Sequence, residues 1–416
     1  MLGRNIVRIV VIGAGASGFF GAIAAAESNP NAQVTLFEAG PTVLAKVKIS
    51  GGGRCNVTHA CYDAAALVQH YPRGGKALRG VFTRFQPRDT VAWFTDRGVM
   101  LKTEPDGRLF PESDDSQTII DCLNSSAAIA GVKIKTQAAV KKIIRQDHGF
   151  TLVFRNDETL ECDRVLLATG SSAVGHQIAK DLGHTLEQSV PSLFTFNIRD
   201  PRLTDLPGVS VPMAKLKLNG LELGTKLEQS GPLLVTHWGL SGPAVLKLSA
   251  WGARLLHQIN YQAQLNINWL PNTNPETLKD SLIKVKSQLA RKTVAAQCPV
   301  LLPRRLWESL TIAAGISPEM RWSDLSKPML NLLLQELLNG TYQISGKGVF
   351  KEEFVTCGGV NLKEVDFKTM ESRICPGLYF SGEVLDIDGV TGGFNFQSAW
   401  STGWIAGNAM VLGLTE

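Results

Sequence analysis

IVRIVVIGAGASGFFGAIAAAE, Ile6 to Glu27, changes character in the middle. Its first seven residues are largely β-branched, suited to a buried parallel strand, and its second half is alanine-rich, suited to a helix. Gly13, Gly15 and Gly18 punctuate the junction in a G-x-G-x-x-G pattern. In a dinucleotide-binding turn the first glycine permits the tight reversal, the second lets a pyrophosphate approach the backbone, and the third lets the helix pack close to the strand. The helix start then offers free amides and a positive dipole end to the phosphates. Arg4 and Arg8 followed by eighteen uncharged residues, Ile9 to Ala26, have the length of a signal or a short span, but the three glycines favour the turn.

A partner acid strengthens the reading. VTLFEAG, Val34 to Gly40, is a second strand ending at Glu38, twenty residues after Gly18, where a carboxylate would accept the ribose hydroxyls and repel a 2′-phosphate. Two further stretches look like carboxyl ends of parallel strands: ECDRVLLATGSS, closing in Thr169-Gly170, and PGLYFSGEVLD, closing in Gly382-Glu383. Ligands of open α/β sheets bind at such ends. KISGGGRCN, Lys48 to Asn56, adds three adjacent glycines, which imply positive φ or a close ligand, flanked by Lys46, Lys48 and Arg54, donors suited to an anion. A linker is the alternative for this run taken alone.

The whole chain bounds the answer. Its 416 residues suggest two or three structural units, and 40 glycines with 44% apolar residues suit a glycine-punctuated α/β protein. A net charge of +5 could greet phosphates without resembling a nucleic-acid arm. Seven cysteines, at 55, 61, 122, 162, 298, 357 and 375, form neither CxxC pairs nor a zinc pattern and point to free thiols in a reducing cytoplasm. Neither HExxH nor GxSxG occurs, so catalysis would rest on a cofactor.

Taken together, GAGASG, KISGGGRCN, LLATG, THWGLSGPAVLKLS, GLYFSGE and GVTGGFNFQSAWSTGWIAG resemble the bacterial BaiN-like or aminoacetone-oxidase-like FAD-dependent oxidoreductases, nearly end to end. The resemblance implies FAD along these segments. Gly13, Gly15, Ala16, Gly18, Glu38 and Lys46 fall at its ADP half, with the backbone of Val140 at adenine and Thr169 and Gly170 closing over the nucleotide. Gly51, Gly52, Gly53, Arg54 and Asn56 would lie near pyrophosphate and flavin edge, and Gly382 and Glu383 at the ribityl or pyrophosphate portion. Gly392, Gly393, Asn395 and Phe396 open a last helix, expected to start near Asn395 and to carry a buried stripe of Phe396, Ala399, Trp400, Gly403 and Gly407. Free amides at Gly392 and Gly393 would stabilise negative charge on a reduced flavin ring.

The expected fold is α/β: a Rossmann-type FAD-binding domain, residues 1–187 and 350–416, with an inserted β-barrel-like plus helical domain, β-rich over 188–270 and helical over 271–349. Turn signals stand at Asn219-Gly220 and Ser230-Gly231-Pro232, and Ser241 or Gly242 would cap a helix with Pro243 in its first turn. His237 is the candidate catalytic residue. The expected activity is flavin-dependent hydride transfer on a small molecule, amine-oxidase-like or linked to NAD(P)H as a transient donor, with no metal, no membrane partner and an open oligomeric state. A flavin-containing RNA-modifying or RNA-binding protein is the alternative, invited by a sequence isoelectric point of about 8.8 and by Lys141-Lys142 and Arg304-Arg305, though nucleic acid is the less favoured partner. Heat should release FAD rather than FMN from the purified protein, because the Gly13–Gly18 turn and Glu38 serve an ADP half that FMN lacks. Chromatography of the released flavin decides this, and FMN alone would contradict it.

Overall fold

The computed structural model describes residues 6–219, 227–348 and 355–412, and the chain divides into two compact units. One unit comprises Met1–Ser189 with Thr356–Glu416, the other Val190–Val355. The crossings thus fall at 189/190 and 355/356; the 349/350 boundary and Gly220 of the first turn signal lie outside the described residues.

The first unit is built on a seven-stranded sheet. Its strands are β1 (Arg8–Ile12), β2 (Gln33–Phe37), β3 (Lys133–Lys135), β4 (Arg164–Leu167), β5 (Val365–Asp366), β6 (Glu371–Ser372) and β7 (Leu378–Phe380), in the order β5-β6-β7-β4-β1-β2-β3. The five strands from β7 to β3 run parallel, and β5 and β6 append an antiparallel edge. In β1 every residue after Arg8 is buried, as a strand flanked on both sides requires.

Two helices pack against each other beside this sheet, α1 (Ala16–Ser28) and α2 (Phe394–Ala409). Glycines set their spacing. A Cβ at Gly403 would stand 2.4 Å from the Ser17 carbonyl oxygen, and one at Gly407 would stand 2.3 Å from that of Gly21. Ser17 faces Gly403 while Gly21 faces Gly407, so the two helices run in the same sense. Ser17 is second in α1 and Gly403 tenth in α2, an offset of eight residues, which extends α2 beyond the start of α1 by about 12 Å at the usual helical rise. Of the expected stripe only Trp400, Gly403 and Gly407 are buried; Phe396 and Ala399 are half-buried, and Gln397, Ser398, Ser401 and Thr402 are buried instead.

The second unit is a closed six-stranded barrel in the order Phe196–Ile198, Gly239–Ser241, Glu228–Thr236, Ser210–Asn219, Ala263–Asn268 and Gly340–Lys347. Helices Pro275–Gln288, Arg304–Ala313 and Lys327–Asn339 share its core, which includes Trp269, Trp307, Trp322 and Tyr342. The β-rich and helical halves are not separated as expected. Gly340–Lys347, inside the helical stretch, is a barrel strand whose residues alternate buried and exposed over Gly340–Ser345, the period of a half-buried strand. Conversely, helices Pro243–Trp251 and Ala253–Gln258 lie in the β-rich stretch, the former capped by Gly242 at φ +97° with Pro243 in its first turn. Ser230-Gly231-Pro232 is no turn either: it sits inside a strand opposite a register irregularity between Val211 and Ala214, where a proline without an N–H is tolerated.

Gly403→Val should destabilise the protein by about 1–3 kcal/mol, because overpacking must push the backbones of α1 and α2 away from each other. A lowered unfolding midpoint in urea at unchanged slope checks this; an unchanged midpoint would show that the contact tolerates a side chain.

Candidate functional site

At the carboxyl end of β1 the chain turns at Gly13, where a φ of +103° and a Cβ position only 2.4 Å from the Ala168 carbonyl oxygen leave no room for a side chain. Gly18 is equally confined, 1.9 Å from the Gly13 carbonyl oxygen for a hypothetical Cβ. Gly15 differs. It precedes α1 in extended conformation, with no atom beyond its own chain neighbours within 4 Å of where its Cβ would stand. Nothing in the fold requires glycine there, so the space beside it is available to a ligand at the start of α1, next to Ala16.

Glu38, at the end of β2, accepts the Ala14 N–H at 3.0 Å through Oε2 and the Gly40 N–H at 2.9 Å through Oε1. Each oxygen keeps a lone pair for a ribose hydroxyl. The Ala138 N–H donates to the Glu38 carbonyl at 2.9 Å, which places Val140, two residues on and buried, beside the same turn.

Thr169-Gly170 follows β4, and Gly382-Glu383 follows β7. Glu383 joins them to the lysine singled out by sequence: its Oε2 accepts Lys46 Nζ at 2.7 Å, its Oε1 accepts the Thr356 N–H at 2.9 Å, and a Cβ at Gly170 would lie 3.7 Å from Oε2. Three polar atoms are buried without a partner on the two segments that follow these strands: Thr169 Oγ1, Ser381 Oγ and His176 Nε2. His176 lies on the helix Ala173–Asp181, and burial holds its imidazole below the ordinary pKa against the opposing effect of Glu383, so it is neutral at neutral pH.

The triple-glycine loop forms the other end. Gly51, Gly52 and Gly53 have φ of +59°, +69° and +85°, so the run is a sequence of left-handed residues rather than a linker. Beyond the adjacent residues, no protein atom lies within 4 Å of a Cβ at Gly52 or Gly53. Asn56, in the amide orientation that satisfies its neighbours, accepts the Gly393 N–H at 2.9 Å and donates to the Thr58 carbonyl at 3.0 Å. That bond ties SGGGRCN to the start of α2, where Gly393 at φ +90° has no space for a side chain against the Thr58 carbonyl. Asn395 locks the same loop by bonding both the N–H and the carbonyl of Gly389, at 2.8 and 2.9 Å. Gly392, at φ +131°, lies against the Phe394 ring.

Two expected contacts are committed elsewhere. Arg54 pairs with Glu104 at 2.7 Å and Asp114 at 3.4 Å and lies over the Phe110 ring, bracing the loop from behind. Phe396 stacks on Trp400. Cys55, between Arg54 and Asn56, is fully buried and its thiol is pushed up to about 12, so it is not a nucleophile. His237 lies on the barrel unit, exposed in the turn between Glu228–Thr236 and Gly239–Ser241.

Sequence reading missed the polar network beneath α2. Gln397, fully buried, accepts from Thr58 Oγ1 at 2.5 Å and Thr90 Oγ1 at 2.9 Å and donates to Ser401 Oγ at 2.9 Å, while Trp400 Nε1 donates to the Val57 carbonyl at 2.9 Å. The signal was available: Gln and Ser inside an otherwise apolar helix need buried partners. His70, stacked on Phe394 at 4.2 Å, Tyr71, donating to the Phe394 carbonyl at 2.6 Å, and the Arg73–Asp388 ion pair were missed as well and brace the same loop.

The residues present therefore fit FAD. Open glycines line the path, and two helix N-termini about 12 Å apart along the axis suit a ligand with negative charge in two places.

The model of the family described as HI0933-like protein Rossmann domain matches residues 7–409. A ribosomal RNA dihydrouridine synthase of Escherichia coli is 32% identical over 416 residues, covering 97% of each chain. A 3-dehydro-bile acid delta(4,6)-reductase of Clostridium scindens is 29% identical over 411 residues, covering 97% of this chain and 98% of its own. The crystal structure of a 3-ketosteroid-delta4-(5alpha)-dehydrogenase from Rhodococcus jostii shares the fold with a TM-score of 0.51 at 16% identity, covering 99% of this chain and 98% of that one.

Gly15→Val should leave the fold and the thermal stability of the apoprotein unchanged while lowering FAD affinity at least 100-fold, because only the ligand competes for that space. Flavin absorbance per protein with far-UV circular dichroism checks this; full occupancy would remove the ligand from the start of α1.

Proposed function

The chain belongs to the HI0933-like family of FAD-dependent oxidoreductases, and from that premise we propose that it reduces a carbon–carbon double bond conjugated to a carbonyl. The observation that carries this reading is a common transformation among relatives with unrelated substrates. Dihydrouridine formation saturates the uracil C5=C6 bond, conjugated to the C4 carbonyl, and a delta(4,6)-reductase acting on a 3-dehydro bile acid saturates a bond conjugated to the 3-carbonyl. Each adds a hydride at the electron-poor β-carbon and a proton at the α-carbon.

Bound FAD would supply the hydride, with NAD(P)H as the transient donor that replenishes it. The protein contributes binding and charge. Glu38 and the start of α1 would hold the ADP half, Lys46 paired with Glu383 would stand by the pyrophosphate and ribityl portion, and the amide at Gly392 with the positive end of α2 would stabilise negative charge on the ring, the Gly393 N–H being taken by Asn56. His237 is the candidate proton carrier, exposed and without a partner among the described residues.

Uracil in RNA is the favoured substrate class. The relative at 32% identity supports it, and so does the charge distribution: residues 190–355 carry 18 Lys and Arg against 12 Asp and Glu, whereas the rest of the chain carries 24 against 25. The entire basic excess resides in the inserted unit, as expected of a domain that meets a polyanion. A flat conjugated ketone is the second reading, favoured by the bile-acid relative.

Protein photoreduced without oxygen should be reoxidised by uridine-containing ribosomal RNA, which gains two hydrogens in mass. Reoxidation by a conjugated ketosteroid alone would select the second reading. Reoxidation by neither would refute double-bond reduction.

A further inference from the structure

The outer edge of the seven-stranded sheet holds a pocket of about 320 Å³ that shares no residue with the site described above. It lies at β5, separated from β1 by β6, β7 and β4. Among the described residues its lining combines apolar Leu362, Val365 and Phe367 with four cations: Arg84, Lys363, Lys368 and Arg373.

The lining is unbalanced. Asp366 is the one carboxylate lining the pocket among the described residues, and it is spent locally: its Oδ1 accepts the Lys368 N–H at 3.0 Å and faces Arg373 at 3.5 Å. Arg373 Nε donates to the Val365 carbonyl at 3.2 Å, and Arg84 donates to the Lys368 carbonyl, so both arginines are fixed in place. Glu364, the neighbouring acid, is occupied by Thr185 and His184. The Lys363 and Lys368 ammonium groups have no carboxylate partner among the described residues. Two guanidinium groups held by backbone carbonyls and two ammonium groups without a carboxylate partner around one concavity suit neighbouring singly charged phosphodiesters.

We infer that this pocket binds phosphate groups of the RNA backbone, an anchor remote from the flavin site that fixes the register of the substrate. The inference rests on the RNA reading above. Backbone contacts of this kind position a nucleic acid without reading its sequence. Phosphate could also arrive on NADPH, so the test includes both sources.

FAD-loaded full-length Lys363→Glu/Lys368→Glu and its milder counterpart Lys363→Gln/Lys368→Gln are compared with the parent, after matching flavin occupancy and melting temperature. Binding of a fluorescent single-stranded uridine-containing RNA is measured by anisotropy across a salt series, and NADPH binding by titration. The parent should bind the RNA at low salt. The Gln pair should bind it at least 10-fold more weakly, with a log–log salt slope smaller by roughly 1.4, the value for two lost phosphate contacts on a single strand. The Glu pair should be weaker still, and NADPH binding unchanged in both. Equal RNA affinity and slope in the Gln pair would overturn the inference while leaving the RNA reading intact. Weakened NADPH binding with unchanged RNA binding would reassign the pocket and also overturn it. A parent that binds no RNA at low salt would remove the RNA reading and this inference together.

Discussion

The contact between α1 and α2 is made backbone against backbone at Gly21, Gly403 and Gly407, and the ligand-facing geometry depends on it. Larger residues would push the helices apart to a usual interaxial distance of about 8–10 Å or more. With glycine the two axes lie close beside the sheet, and the starts of both helices reach the edge where the parallel strands end. One start lies at the turn after β1 and the other farther out, so amides that have no partner inside their own helices accumulate along one line. A dinucleotide bearing a pyrophosphate and a polarisable ring matches that line better than a compact anion would.

Everything around the outer end keeps it rigid. Asn56 bonds to Gly393, Asn395 bonds to Gly389 through both its N–H and its carbonyl, and Gln397 ties Thr58 and Thr90 to the helix interior. Ordering three glycines costs backbone entropy and a left-handed Cys55 at φ +59° costs strain, and this bonding compensates for both. A preorganised loop loses little entropy when its ligand arrives, which favours retention of a cofactor through many turnovers.

The strand–turn–helix at the amino terminus was legible because three independent requirements coincide in it: glycine at fixed spacing, β-branched residues before it, and an acid at the next strand end. The triple glycine was legible as something other than a linker, and each of its residues has positive φ. Arg54 was harder. A cation beside glycines invites an anionic ligand, but Glu104 and Asp114, fifty and sixty residues away, claim it first, and pairing at that distance leaves no local trace. The barrel strand Gly340–Lys347 was hidden for a related reason. It follows directly on a leucine-rich helix, Lys327–Asn339, and the change from helical to alternating period occurs within one residue of Gly340. The Ser230–Pro232 stretch carries the residues of a turn yet serves as a strand irregularity, a choice made by its partner strand.

The central claim is that the starts of α1 and α2 serve two different regions of one FAD molecule. Hydrogen exchange of the apoprotein, measured alone, with saturating ADP and with saturating FAD, tests it most directly. ADP should slow exchange at Ala16–Gly18 and leave Gly392–Phe396 unchanged, whereas FAD should slow both segments and Gly51–Asn56 as well. Protection confined to Ala16–Gly18 with FAD, or protection of all three segments by ADP alone, would contradict the account.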